Sequence, residues 1–201
     1  PTSRRSERSL KRRSQSLTSI VSDPSLKTIL KTDAKWLGIL AVVAVAVFAN
    51  SLRGSFTYDD SRQIVRNPLI QQNTLITKAL TSDVWAFKGD GDTVASNYWR
   101  PTFTALHILN YRLFGLDPVG WHAMNLGLYV LVALLIFLNL RRWGFDALSA
   151  FASVLIFTVH PVHVESVAWI SGSPDLIFAA TFLASLLFAQ SYCLSGRAGY
   201  L

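Results

Sequence analysis

Three short stretches of the 201-residue chain concentrate side chains that can move protons or hold anions. The first is Tyr58-Asp59-Asp60-Ser61-Arg62. Adjacent carboxylates near a membrane surface can act as a general base and its electrostatic partner. With further oxygen ligands the same pair can bind a divalent cation such as Mg²⁺ or Mn²⁺. The structural alternative is a solvated turn in which an Asp caps a helix over SRQIV. The second stretch, Tyr98-Trp99-Arg100-Pro101, fixes an arginine between aromatic residues. Its planar fork suits a phosphate, although Trp and Arg together also make an ordinary interfacial anchor. The third is His160-Pro161-Val162-His163-Val164-Glu165, whose imidazoles and carboxylate can ligate a metal or hydrogen-bond a pyrophosphate or sugar. Its spacing is not that of a zincin, and a satisfied histidine pair at a membrane boundary is the alternative. Asp146 and Asp175 flank apolar blocks and are expected as helix caps. His107, His122 and Cys193 carry no independent signal.

These stretches must be positioned by apolar segments. Hydrophobic residues make up 51% of the chain and charged residues only 15%, against roughly 25% charged in a soluble domain. The apolar residues cluster in blocks, which argues against a soluble globular protein. One cysteine permits no internal disulfide, so a small secreted disulfide scaffold is excluded. The blocks predict an all-α integral membrane protein, a polytopic helical bundle with about four spans. These lie near 36–52, 122–140, 147–170 broken at Pro161, and 174–190. The proline removes a backbone donor and kinks the third.

Charge sets the expected orientation. Residues 1–35 hold nine basic and three acidic residues, so this tail carries +6 of the chain's net +7. It reads as a disordered cytoplasmic tail rather than a nucleic-acid arm, and no nucleic acid is expected as a partner. A signal peptide does not fit, because the first apolar block begins near residue 36 with no small-residue cleavage site after it. Arg141 and Arg142 fall on the tail's side of the membrane, leaving 53–118 and 160–174 together on the outer side. The long outer loop is rich in aromatic residues. Its stretch 101–115 predicts an amphipathic helix lying in the interface, with Leu106, Leu109 and Leu113 on the apolar face. Asp90–Ser96 is expected as a flexible tip, and no internal repeat is evident. A transporter would call for inverted repeats. The chain starts without Met and ends just past an apolar block, and so reads as a piece of a longer one.

In order, the words GSFTYDDSRQIVRNPLIQ, NYWRPTFTALHILNYRLFGLDPVGWHAMNLGLYVLVALLIF and VHPVHVESVAWISGSPDLI resemble the amino-terminal part of a GT-C glycosyltransferase. The resemblance is to the transmembrane and tetratricopeptide-repeat O-mannosyltransferases and their bacterial relatives, across roughly residues 50–190. It implies a transferase that takes a sugar, mannose or another hexose, from a polyprenyl-phosphate carrier on the extracytoplasmic face. The sugar would pass to a protein or glycan acceptor, for eukaryotic relatives a Ser or Thr hydroxyl. The resemblance makes Asp59 the general base and Asp60 its support. It has Arg62 and Arg100 hold the donor phosphate, while His160, His163 and Glu165 line the same pocket. It places the lipid bilayer and the lipid-linked donor among the partners, leaves a divalent cation open, and puts the repeats beyond residue 201. Such a fragment is expected to be inactive alone. The wording of 160–172 reads as bacterial, implying an inner membrane, with the endoplasmic reticulum as the alternative. A non-catalytic scaffold presenting the outer loop and repeats to protein partners is the competing reading.

Overall fold

The structure is a computed structural model, and it describes residues 25–88 and 98–195. Three helices are long and apolar enough to cross a membrane: Ala34–Arg53, Pro118–Arg142 and Ile170–Tyr192. A fourth candidate is the pair Ala147–Val159 and Pro161–Ala168, bent by 52° at His160-Pro161. The described chain is an all-α membrane bundle. The helices are α1 (Leu26–Thr32), α2 (Ala34–Phe48), α3 (Pro68–Gln71), α4 (Ile76–Thr81), α5 (Pro101–Phe114), α6 (Pro118–Arg142), α7 (Ala147–Val159), α8 (Val164–Ala168) and α9 (Ser173–Ser195).

Caps explain several boundaries. α6 starts four residues before the apolar block because the Asp117 carboxylate accepts from the Val119 amide at 3.1 Å and Pro118 takes the first helical position. It ends on Arg141 and Arg142, where cations meet the negative pole of the helix. Asp146 caps α7 as expected, accepting from the amides of Leu148 and Ser149 at 3.0 Å. The expectation for Asp175 changes. It sits inside the first turn of α9 and accepts from the Ser166 hydroxyl at 3.0 Å.

α6 is the central element and packs against α2, α7 and α9. Near one end of the bundle, Ile29, Leu40, Phe137 and Val154 close one apolar cluster, and Arg141 Nε donates to Asp33 at 2.7 Å. That bond ties the start of α2 to the end of α6. Midway, Phe48, Leu126, Tyr129, Val167 and Leu176 form a second cluster. At the opposite end the loop after α2 has its own core of Ile64, Leu69, Ile70, Ile108, Trp121 and Ile170. The segments 53–88 and 98–118 therefore fold against the 160–173 link, at the end away from Asp33 and Arg141. The corner between α5 and α6 is tight. A Cβ on Gly120 would come 2.2 Å from Phe114 Cγ, so no larger residue fits without moving that ring.

One sequence expectation needs correction here. The tail through residue 35 is not wholly disordered: α1 forms over Leu26–Thr32, capped by Ser25, because Ile29 can bury fully against α2 and α6. The remainder of the tail, 1–24, and the tip Asp90–Ser96 lie outside the described residues. Helix α5 exists as predicted, and its leucine ridge faces outward. Leu109 and Leu113 are about half exposed, while Phe103, Thr104, His107, Ile108 and Asn110 pack inward. An outward leucine ridge is what a helix lying at a bilayer surface presents. His107 packs against Phe103 with ring centres 4.0 Å apart and the rings tilted by 52°, and meets Trp121 edge-on at 5.3 Å. Burial pushes its imidazole from the ordinary 6.5 down to about 3, so it is neutral and serves as packing.

Candidate functional site

The acidic pair sits where the segment after α2 turns back toward the bundle. Tyr58 adopts φ 46°, a left-handed conformation uncommon for a bulky residue, and its side chain is 90% exposed. The chain then closes a tight turn, with the Asp60 amide donating to the Thr57 carbonyl at 2.9 Å. A single π turn over Ser61–Val65 follows, a geometry that recurs at functional sites. The consequence is that Asp59 and Asp60 point into different surroundings.

Asp60 is fully buried, and its carboxylate is saturated. Oδ2 accepts from the Thr57 amide at 3.0 Å; Oδ1 accepts from the Ser171 amide at 2.9 Å and the Ser171 hydroxyl at 2.5 Å. The two bonds from Ser171 join segments 111 residues apart. Asp59 is half-buried and its carboxylate accepts no hydrogen bond from the described residues. One acid is structural cement and the other is available.

The partner segment is held just as firmly. Ser171 lies in a 3-10 turn, Ile170–Gly172, between α8 and α9. Asn125, fully buried on α6, donates to the carbonyls of Trp169 and Ile170 at 3.0 and 3.3 Å. Gly172 is needed for the close approach of this turn to α8, since a Cβ there would stand 2.8 Å from the Glu165 carbonyl oxygen. Asn125→Leu is expected to destabilise the protein by about 2 kcal/mol, because two buried carbonyls lose their donor. Thermal unfolding of the purified full-length protein checks this; an unchanged midpoint would contradict it.

Arg100 is brought to the same place from the other direction. Trp99 donates its indole N–H to the Leu80 carbonyl at 2.9 Å, and the Val84 amide donates to the Tyr98 carbonyl at 3.0 Å. These bonds pin the segment against α4 just before α5 begins. The Arg100 guanidinium lies 5.1 Å from the centre of the Tyr98 ring and forms no ion pair among the described residues. An arginine without a carboxylate partner is free to meet an anion.

A cleft of about 240 Å³ lies between these segments. Asp59, Gln63, Tyr98, Arg100, Phe103, Glu165, Trp169, Ser171 and Asp175 border it. Two grooves open from it. One, of about 390 Å³, shares Arg100 and runs past Trp99, Pro101 and Phe103 to Ile177, Phe178 and Thr181 on α9. The other, of about 540 Å³, shares Asp59, Glu165 and Trp169 and is walled by Thr57, Tyr58, Val164 and Ala168. The Gln63 side-chain oxygen and the Trp169 indole N–H are buried beside the cleft without a partner among the described residues.

Of the expected site residues, Asp59, Arg100 and Glu165 meet at the cleft, and Asp60 lies immediately behind it. The others are placed differently. Arg62 is exposed and borders neither the cleft nor its grooves, because the π turn carries it away from Asp59. The expectation that His160 and His163 line the pocket is corrected in the same way. The His160 ring turns back, its Nδ1 accepting from the Val162 amide at 3.2 Å to cap the turn at Pro161. His163 packs on Phe157 at 4.2 Å, with Tyr129 behind it at 5.5 Å. Among the described residues no three His, Cys, Asp or Glu side chains come together as metal ligands. The sequence reading missed Ser171, Trp169, Gln63 and Asn125. Only Asn125 had a signal, as an amide inside an apolar span, where polar groups find a partner or a function.

No family model matches the chain, and no solved structure matches it. Curated proteins do. The chain is 35% identical over 163 residues to protein O-mannosyl-transferase TMTC1 of Mus musculus, covering 80% of the chain and 17% of that relative. It is 33% identical over 173 residues to protein O-mannosyl-transferase TMTC4 of Homo sapiens, covering 79% and 23%. With protein O-mannosyl-transferase Tmtc1 of Drosophila melanogaster it shares 29% over 179 residues, covering 89% and 21%. The chain thus spans about a fifth of the length of the curated relatives it matches.

Proposed function

The chain belongs to the transmembrane and tetratricopeptide-repeat protein O-mannosyltransferases, and from that premise we propose that its cleft is the transfer site for a sugar carried on a polyprenyl phosphate. The acceptor is a Ser or Thr hydroxyl of protein, and the reaction takes place on the extracytoplasmic face, with the amino-terminal tail in the cytoplasm. The observation that carries this reading is the convergence of Asp59, Arg100 and Glu165 on one cleft from three separate segments.

Each residue's role follows from its surroundings. Asp59, with an uncommitted carboxylate, takes the acceptor hydroxyl's proton as the oxygen attacks the anomeric carbon. The bond from that carbon to the lipid phosphate breaks, and the phosphate leaves with the electron pair. Arg100 meets the phosphate charge with a fork suited to its oxygens. The apolar groove from Arg100 along Pro101, Ile177 and Phe178 receives the first isoprene units, so phosphate and chain are bound by adjoining surfaces. Asp60 and Ser171 hold the two loops at the spacing the reaction needs. The products are the glycosylated acceptor, the lipid phosphate and a proton that Asp59 returns to water.

Arg100→Lys tests the phosphate role. It keeps the charge and loses the bidentate geometry, so the full-length protein is expected to show a donor KM raised about tenfold with the acceptor KM unchanged. Steady-state transfer from polyprenyl-phosphate mannose to a Thr-containing peptide reads both constants. Equal KM values for wild type and variant would remove Arg100 from donor binding.

A further inference from the structure

We propose that the groove walled by Tyr58, Val164, Ala168 and Trp169 is the acceptor subsite. On this assignment it selects an extended polypeptide segment with an aromatic or aliphatic side chain, and no acidic one, next to the hydroxyl residue. This rests on the transfer reading above and adds the acceptor's chemistry to it.

Charge sorts the two grooves. The groove on the α9 side includes Arg100 and no carboxylate among its bordering residues. The groove on the Tyr58 side includes Asp59 and Glu165 and no cation. A lipid phosphate entering between two carboxylates would be repelled, and the same carboxylates favour a neutral or basic segment. The two grooves share no bordering residue with each other, while each shares residues with the cleft, so a donor held at Arg100 and an acceptor entering past Tyr58 reach the cleft by separate grooves. Separate entries let the acceptor hydroxyl approach the sugar without displacing the lipid phosphate.

Tyr58 is the second line of argument. Its backbone is held at φ 46°, and its ring is 90% exposed. The fold gains little packing from that ring. Non-glycine residues held in this conformation at the edge of a site commonly serve the site. Here the ring stands at the rim of the groove, one residue before the free acid, with Val164 about half exposed on the facing wall. A peptide side chain beside the reacting hydroxyl would lie between them.

Two variants separate groove from fold. Tyr58→Gly removes the ring and suits the left-handed backbone, and Ala168→Phe fills the groove from the other wall. The assay uses full-length protein, polyprenyl-phosphate mannose, and synthetic peptides with one Thr flanked either by Phe and Lys or by Glu. Wild type is expected to favour the Phe/Lys peptide roughly tenfold in acceptor KM. Both variants are expected to raise that KM about tenfold, with the donor KM unchanged. Wild-type transfer with the same acceptor KM in both variants, or a shift in the donor KM alone, overturns the acceptor assignment and leaves the transferase reading standing. Absence of wild-type transfer from this donor to either peptide overturns the transferase reading, and the acceptor assignment with it.

Discussion

Asp59→Asn in the full-length protein is expected to lower transfer by about 10²–10⁴-fold, the usual contribution of a positioned general base, without lowering the unfolding midpoint. The physical basis is what Asp59 lacks. Its carboxylate makes no hydrogen bond to the described residues, yet it borders both the cleft and the groove on the Tyr58 side. The Asp59 carbonyl accepts from the amides of Arg62 and Gln63, but these are main-chain bonds that asparagine preserves. The substitution removes a proton acceptor and little else. A loss of activity accompanied by an equal loss of folded protein would mean that Asp59 is structural.

Its neighbour should behave in the opposite way. Asp60→Ala is expected to destabilise the protein by about 3 kcal/mol or more, since buried donors left without an acceptor cost roughly 1–3 kcal/mol each. Two backbone amides, Thr57 and Ser171, and the Ser171 hydroxyl would all lose their acceptor. Hydrogen bonds to a carboxylate are also stronger than neutral ones, which raises the cost. The damage would spread, because these bonds are what fastens the acidic turn to the link before α9. Ser171→Ala removes one of the three bonds and is expected to cost about 1 kcal/mol. Differential scanning fluorimetry in detergent, with wild type alongside, orders the set. Asp60→Ala melting with wild type would contradict the tether.

Much of the fold was legible in the sequence because hydropathy and caps are local. The apolar blocks located α2, α6 and α9, and His160-Pro161 marked the bend of the fourth candidate span. The boundaries that slipped were those where polar caps extend a helix past its apolar run: α6 begins at Pro118, well before the apolar block. Helix α5 shows a different limit. Its leucines marked an apolar face, but that Phe103, Ile108 and the neutral His107 on the other side would pack inward was set by the core of the segment after α2. Which face a helix buries depends on what lies beside it, and that is not local information.

The site divides along the same line. Asp59, Arg100 and Glu165 each belong to a short motif whose residue types announce their chemistry. Residue type alone could not tell the two neighbours Asp59 and Asp60 apart, however; Asp60 is set apart by its burial and by its bonds to Thr57 and to Ser171, 111 residues away. The histidines misled for the converse reason. Their chemistry is versatile, but the turn at Pro161 sends one ring into a cap and the other onto Phe157. Residue type suggests what a side chain can do, and packing against distant segments decides whether it is free to do it.

On the proposed mechanism, one cleft holds the lipid-linked donor at Arg100 while Asp59 performs the proton transfer beside it. The most direct test measures binding and turnover in one sample. Full-length Asp59→Asn protein is loaded with radiolabelled polyprenyl-phosphate mannose, then mixed with a Thr peptide for a single turnover. The prediction is donor retained at the wild-type level with no label reaching the peptide over many wild-type half-times. Label passing to the peptide at the wild-type rate would contradict it.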